Sequence, residues 1–292
     1  MQPRLFHLHA LSALHCGTGQ SAGVVDLPIA RARATNLPLV PGSSVRGVAR
    51  EEVTSRDEQA ATTLFGPVRI EGDAQSFAGA LAVGDAHLLA LPVRALAGIV
   101  CFVTCPFILS RYQQDRQGAG LALAAPVPRP QAGAALVPAG SVNCSGTTLV
   151  LEDLDLRASE DTGTKAWAEA IAATIHPADA AAQADLVTRF AILPDDTLGF
   201  LAETATEVRA RIAIDPKTGT VTKGALWYEE NLPAETLLWG VYALSDSMNK
   251  ADQRAARDLA RCLPSSGTLL QLGGKAGVGR GLVRFLTQEV PA

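Results

Sequence analysis

Segments of alternating polarity and segments of helical periodicity follow one another along this chain without a regular strand–helix repeat, which favours an α+β fold over a repeating parallel βα one. Residues 5–14 read as a first strand, with Phe6, Leu8 and Ala10 alternating against Leu5, His7 and His9. The glycine-rich run at 17–23 (GTGQSAG) then opens an irregular stretch to about residue 41. Connections of that length inside a compact chain usually carry function or stay disordered. Pro41-Gly42-Ser43-Ser44 predicts a helix start with Ser43 or Ser44 as N-cap, followed by a stripe of Val45, Val48, Ala49 and Val53. The chain turns at 64–67; 80–91 and 98–104 read as strands, 117–146 as loop and 148–156 as a strand. Residues 167–175 and 178–190 read as helices parted by His176-Pro177. Residues 206–214 and 220–228 read as a β-hairpin around Asp215-Pro216-Lys217-Thr218-Gly219. Residues 233–240 and 246–263 read as helical, with strands at 268–272 and 282–286 flanking a second glycine-rich turn.

The 292 residues are 48% hydrophobic and 18% charged, which supplies a sizeable core and excludes a disordered or coiled-coil chain. A net charge of −4 gives no global electrostatic case for nucleic acid, so any such binding has to come from local patches. The cations are lopsided, 20 Arg to 5 Lys, and Arg offers planar, forked donors suited to phosphate. Five cysteines without a C-x-x-C support neither a disulfide framework nor a zinc knuckle. The start lacks a signal-peptide core, and no run of 18 apolar residues occurs. A reduced, cytoplasmic protein without a membrane partner is expected.

Two acid-free windows mark the local patches. Residues 27–50 hold Arg31, Arg33, Arg46 and Arg50; residues 271–287 hold Lys275, Arg280 and Arg284. The first adjoins the helix start after Gly42, and the second the turn Gly273-Gly274-Lys275-Ala276-Gly277-Val278-Gly279-Arg280-Gly281. Backbone N–H groups in both settings can hold phosphates, although ordinary solvated turns look the same in sequence. The second turn matches neither G-x-x-x-x-G-K-[ST] nor G-x-G-x-x-G, so an NTPase or a dehydrogenase is unsupported. Asp26 is the only acid in residues 1–50. It could act as a general base, hold a divalent metal, or simply cap a turn. His15 is a second candidate, with a half-buried structural role as its alternative. His7 and His9 share a strand face without an evident third ligand, which favours packing or RNA contact over a metal pair. Trp227-Tyr228-Glu229-Glu230 reads either as core or as acids placed near a phosphodiester.

Several runs occur in one order: residues 11–20 (LSALHCGTGQ), 23–27 (GVVDL), 38–47 (PLVPGSSVRG), Leu64-Phe65-Gly66, Thr104-Cys105-Pro106, 224–230 (GALWYEE) and the late glycine-rich turn. Together they closely resemble the RAMP superfamily and, within it, the fourth (backbone) subunit family of type III-B CRISPR–Cas Cmr complexes. The resemblance covers nearly the whole chain, and 110–200 carries less of it.

The resemblance implies one domain over 1–292, a ferredoxin-like, RRM-like palm with an inserted thumb hairpin at 206–228 and finger segments. It implies a flexible catalytic loop at 16–41. It also implies an RNA-guided endoribonuclease whose copies stack along a guide RNA beside other Cmr subunits and cut single-stranded target RNA at regular spacing. Asp26 matches the family's catalytic aspartate, with a divalent ion such as Mg2+ or Mn2+ as cofactor, and His15 matches a nearby histidine. Ser43, Ser44, Arg46 and Arg50, together with Gly273, Gly274, Lys275 and Arg280, match elements that hold guide RNA. The alternatives are a non-catalytic RNA-binding scaffold, a guide-processing nuclease using His15 as base, and a phosphometabolite enzyme.

Overall fold

A computed structural model describes residues 2–17, 25–68, 76–121 and 125–288. β1 (Gln2–Ala10) and the short β2 (Leu39–Val40) lead into α1 (Gly42–Thr54) and α2 (Glu58–Phe65). β3 (Leu81–Val83), β4 (Ala86–Ala95) and β5 (Ile99–Thr104) follow, then α3 (Pro106–Gly118). Next come β6 (Ala134–Val137), β7 (Cys144–Ser145), β8 (Thr148–Leu151) and β9 (Leu154–Glu160), and the helices α4 (Thr162–Ile175) and α5 (Ala180–Thr188). β10 (Phe190–Ile192) and α6 (Asp195–Thr204) precede a hairpin of β11 (Glu207–Ile214) and β12 (Val221–Asn231). β13 (Leu237–Leu244), α7 (Ala256–Ala260), β14 (Leu269–Gln271) and β15 (Leu282–Thr287) complete the order.

The fold is α+β, and its main sheet runs β14-β15-β1-β13-β4-β5-β10-β6-β9-β8-β7, with β2 added to β4 and β3 to β13. It has two halves, and β4 belongs to both. The first half of β4 pairs with β13 in an open antiparallel sheet, and its second half pairs with β5. A bridge between Ala95 and Leu151 then closes β4-β5-β10-β6-β9-β8 into a six-stranded ring. The sequence of β4 permits this because Leu88 to Val93 is an unbroken apolar run, buried on both strand faces.

β13 corrects the helix expected over 233–240. Leu237, Leu238 and Trp239 are buried on both faces of the sheet, and a continuous apolar run carries no period that separates a strand from a buried helix. Gly240 lies opposite Phe6, where a Cβ would sit 2.3 Å from the Phe6 ring, so only glycine leaves room. The helix expected over 246–263 shrinks to Ala256–Ala260, and the loop expected over 117–146 contains β6 and β7. The sequence reading also passed over α2, whose N-cap Asp57 accepts the Ala60 N–H at 2.8 Å.

α1 buries Val45, Ala49 and Val53 of the expected stripe and leaves Val48 half-buried, but Ser43 and Ser44 lie inside its first turn and neither caps it. Pro41 takes the N-cap position, and the Gly42 N–H donates to Asp85 Oδ1 at 2.7 Å. Tyr112 of α3 packs against both Trp239 of β13 and Trp167 of α4. Among the described residues no helix is long and apolar enough to cross a membrane.

Candidate functional site

Asp26 lies on the segment that returns toward β2; the adjoining residues 18–24, with Gly23 and Val24 of the GVVDL run, lie outside the described residues. This segment runs parallel to the end of β12 like a short extra strand. The Leu27 N–H donates to the Tyr228 carbonyl at 3.1 Å, and the Glu230 N–H donates to the Leu27 carbonyl at 3.0 Å. That register puts Asp26 beside Tyr228, whose N–H donates to Asp26 Oδ2 at 2.8 Å. The Asp26 side chain is exposed, and one carboxylate oxygen is held while the other has no partner among the described residues.

Glu230 fixes the segment from beneath. Its buried carboxylate accepts the Ile29 N–H at 3.1 Å, the Arg31 guanidinium at 2.5 Å and the Thr206 hydroxyl at 3.0 Å. A buried carboxylate with three such partners is well compensated, and removing one partner would leave the others short. Arg31 also donates to the carbonyls of Ala202 and Asn36. Sequence reading placed Arg31 in a positive patch but missed this partner; the Glu229-Glu230 pair, two adjacent acids at a strand end, was the available signal.

His15 is 7% exposed. Its Nδ1–H donates to the Glu230 carbonyl at 2.7 Å. Nε2 lies tight against Gly17, where an added Cβ would come within 2.8 Å. His7 and His9 are buried, bonded through Nε2 to the Tyr112 hydroxyl at 2.8 Å and to Glu235 at 2.6 Å, so packing accounts for both.

The late glycine-rich turn folds onto the same place. The Gly274 N–H donates to the His15 carbonyl at 2.9 Å, and the Gly281 N–H donates to the Ala13 carbonyl at 2.9 Å. Gly273 has φ 73°, and a Cβ there would lie 2.2 Å from the His15 carbonyl oxygen. Lys275 Nζ sits 2.9 Å from Glu229 Oε1, the oxygen that also accepts the Trp227 indole N–H at 2.8 Å. Arg211 stands 3.4 Å from the other oxygen. Burial pushes the Glu229 carboxyl up, but Lys275, Trp227 and Arg211 outweigh it and hold the group below its ordinary range. Arg280 lies 3.6 Å from Glu207, at the start of β11. The base of the hairpin therefore gathers Asp26, His15, Lys275 and Arg280.

Ser43, Ser44, Arg46 and Arg50 form a separate group on α1. Arg46 donates to the Phe65 carbonyl and lies 5.5 Å over the Phe65 ring; Arg50 donates to the Gly66 carbonyl at 2.9 Å. Both cations thus meet carbonyls at the C-terminal end of α2, where the helix dipole favours positive charge. Burial and the neighbouring Arg46 lower the Arg50 pKa. The anion-holding helix start is corrected in one respect, since Asp85 already engages the Gly42 N–H.

Among the described residues no group of three His, Cys, Asp or Glu could hold a metal, and Asp26 brings one carboxylate alone. These residues do not form a protein cage for Mg2+ or Mn2+.

Residues 7–284 match the RAMP superfamily, and the chain belongs to it. Within that class, the CRISPR system Cmr endoribonuclease Cmr4 of Pyrococcus furiosus is 34% identical over 295 residues, covering 99% of this chain and 97% of that protein. The crystal structure of oligomeric Cmr4 from Pyrococcus furiosus superposes with a TM-score of 0.75 at 27% identity, over 100% of both chains. A chain of the cryo-EM structure of the type III-B Cmr-beta complex bound to cognate target RNA shares the fold, with a TM-score of 0.72 at 18% identity over 98% of this chain and 96% of that one.

Proposed function

We propose that this chain is a backbone subunit of a type III-B CRISPR effector complex, which grips guide RNA and cuts the target RNA paired with it. The observation that carries the proposal is an exposed carboxylate, Asp26, fixed by the Tyr228 N–H at the root of a projecting hairpin and flanked by the Lys275 turn. We read the open sheet with its helices as the ferredoxin-like palm, the hairpin as the thumb and the segment 16–41 as the catalytic loop. Further copies of this chain and other Cmr subunits are its protein partners, guide and target RNA its nucleic acids, and the cytoplasm its location.

The cut follows from RNA chemistry. A nucleotide splayed beside the hairpin aligns its 2′-hydroxyl in line with the phosphorus and the departing 5′-oxygen, so geometry supplies much of the rate. The 2′-oxygen bonds to phosphorus as its proton passes to the Asp26 oxygen that Tyr228 does not hold, and the P–O5′ bond breaks. The 5′-oxygen takes up a proton from water, which leaves a 2′,3′-cyclic phosphate and a 5′-hydroxyl. His15, with its ring held by the Glu230 carbonyl, is a positioning residue that carries the Gly273–Gly274 turn on its own carbonyl. Lys275 and Arg280 of the turn hold ribose-phosphate, with Ser43 and Ser44 extending the track, while Arg46 and Arg50 tie α1 to the end of α2. Pairing with the guide chooses the sequence, while the protein meets backbone and shape.

A target carrying a single 2′-deoxy substitution at the cut nucleotide tests this chemistry. It is expected to bind the assembled complex normally and resist cleavage at that position alone. Cleavage there at the normal rate would contradict 2′-hydroxyl attack. The second reading is a scaffold without its own cutting activity, and the Tyr228 N–H on Asp26, a tie that a purely structural carboxylate would also make, is what favours it.

A further inference from the structure

The tip between β4 and β5 exposes what a soluble chain normally hides. Leu96 is 80% and Ile99 81% exposed, and Val142 beside them is 43% exposed. Ile99 has φ 74°, a conformation that a β-branched residue adopts only under strain. Buried polar groups hold this tip rigid. Asn143, 1% exposed, donates to the carbonyls of Ala97 at 2.9 Å and Val100 at 3.0 Å, and Arg189 donates to the Gly98 carbonyl. A strained backbone kept in place by its surroundings, with apolar side chains facing water, is what a preformed contact surface requires.

The opposite end of the same strands carries a matching recess. β5 starts at Ile99 and ends at Thr104, and β10 runs parallel beside it. Just past those ends, Thr35, Leu37, Cys105, Phe107, Asp195 and Gly199 line an open recess of about 170 Å³. Phe107 is 46% exposed. Knob and recess therefore lie at opposite ends of the closed ring, which is the arrangement a head-to-tail contact needs to propagate without closing. The charges agree, since the exposed Arg94 flanks the knob and Asp195 lines the recess, although Arg94 also pairs with Glu152 at 3.3 Å within its own chain.

We propose that the Leu96–Ile99 knob of one copy seats in the Phe107 recess of a second copy, as a self-association contact separate from the RNA track. The inference rests on the stacking role proposed above and assigns it residues.

The test uses the full chain, with and without guide RNA, in sedimentation-velocity runs over a concentration series. Leu96→Glu combined with Ile99→Glu adds charge where the side chains are already exposed, so the variant folds. Gly199→Phe fills the recess from a helical position whose Cβ would meet nothing within 4 Å. Each variant is expected to raise the concentration needed for assembly at least about tenfold, with an unchanged circular dichroism spectrum and melting temperature. A bismaleimide linker on Ile99→Cys plus Thr35→Cys is expected to give a ladder of multimers, where either single variant does not. Wild-type assembly that both variants leave undisturbed, with no ladder, overturns this contact alone. A wild-type chain that stays monomeric with guide RNA overturns both the contact and the stacking reading.

Discussion

The two glycine-flanked, acid-free stretches read alike in sequence and are wired differently in the structure. At 41–50 the helix start and its arginines are turned inward: Asp85 takes the Gly42 N–H, and Arg46 and Arg50 close the end of α2. At 273–281 the turn is tied to the strand leading to His15, while Lys275 and Arg280 reach the two ends of the hairpin base through Glu229 and Glu207. One stretch therefore holds two helices together, and the other holds three chain segments around Asp26. Local charge and glycine content mark a place where backbone comes close to something; they do not say whether that something is protein or ligand.

The strongest way to break this contrast is Gly273→Ala. It forces a side chain into φ 73° and within 2.2 Å of the His15 carbonyl, whereas Gly47→Ala on α1 meets nothing within 4 Å. Gly273→Ala is expected to cost about 3 kcal/mol or more in thermal or urea unfolding and to abolish target cutting. An effect under about 1 kcal/mol would mean that the turn does not depend on this contact.

Arginine and lysine variants then sharpen the difference. Arg46→Ala is expected to lose about 1 to 3 kcal/mol of stability and to leave the salt dependence of RNA binding little changed. Lys275→Ala is expected to reduce the salt slope by about 1 with a smaller effect on stability. The reverse outcome would place the phosphate contact on α1.

Acid separates the sheet core from the hairpin base. Burial first, and then the Arg116 charge, push His7 down to about 3. The unfolded chain takes up that proton near pH 6.5 and the folded chain does not, so stability falls as pH drops from about 6.5 toward 3, by up to about 1.4 kcal/mol per unit. Glu229, held below its ordinary range, contributes above the usual glutamate pKa, and its tie to Lys275 is lost only as pH falls through the lowered value. Melting temperatures at pH 7, 6 and 5 are therefore expected to fall while Trp227 fluorescence, reporting the hairpin base, keeps its native position. A shift of both together would dissolve the distinction. The smallest effect belongs to Gly47→Ala, a gain of about 0.5 to 1 kcal/mol with RNA binding unaltered.

How much of this was legible depends on where each signal resides. The helix carrying Val45, Ala49 and Val53 and the hairpin around Asp215–Gly219 follow from local period and turn chemistry, and both are present. β13 escaped because its neighbours bury both of its faces, and the ring closure escaped because it hangs on one long-range bridge from Ala95 to Leu151. At the site, the single acid and the glycine turn were visible as residues. What joins them was not: the Tyr228 N–H on Asp26 and the Glu230 carbonyl on His15 are backbone groups brought from more than 200 residues away, and sequence carries no mark for them.

The most direct measurement is target cleavage by complex reconstituted with Asp26→Asn. The substitution keeps an oxygen that can accept the Tyr228 N–H but removes the charge and the basicity. Guide retention and target binding are expected to stay within about twofold of wild type, while cleavage falls about 100- to 10,000-fold at every position. Cleavage at the wild-type rate and spacing would remove Asp26 from the chemistry and leave this chain as scaffold.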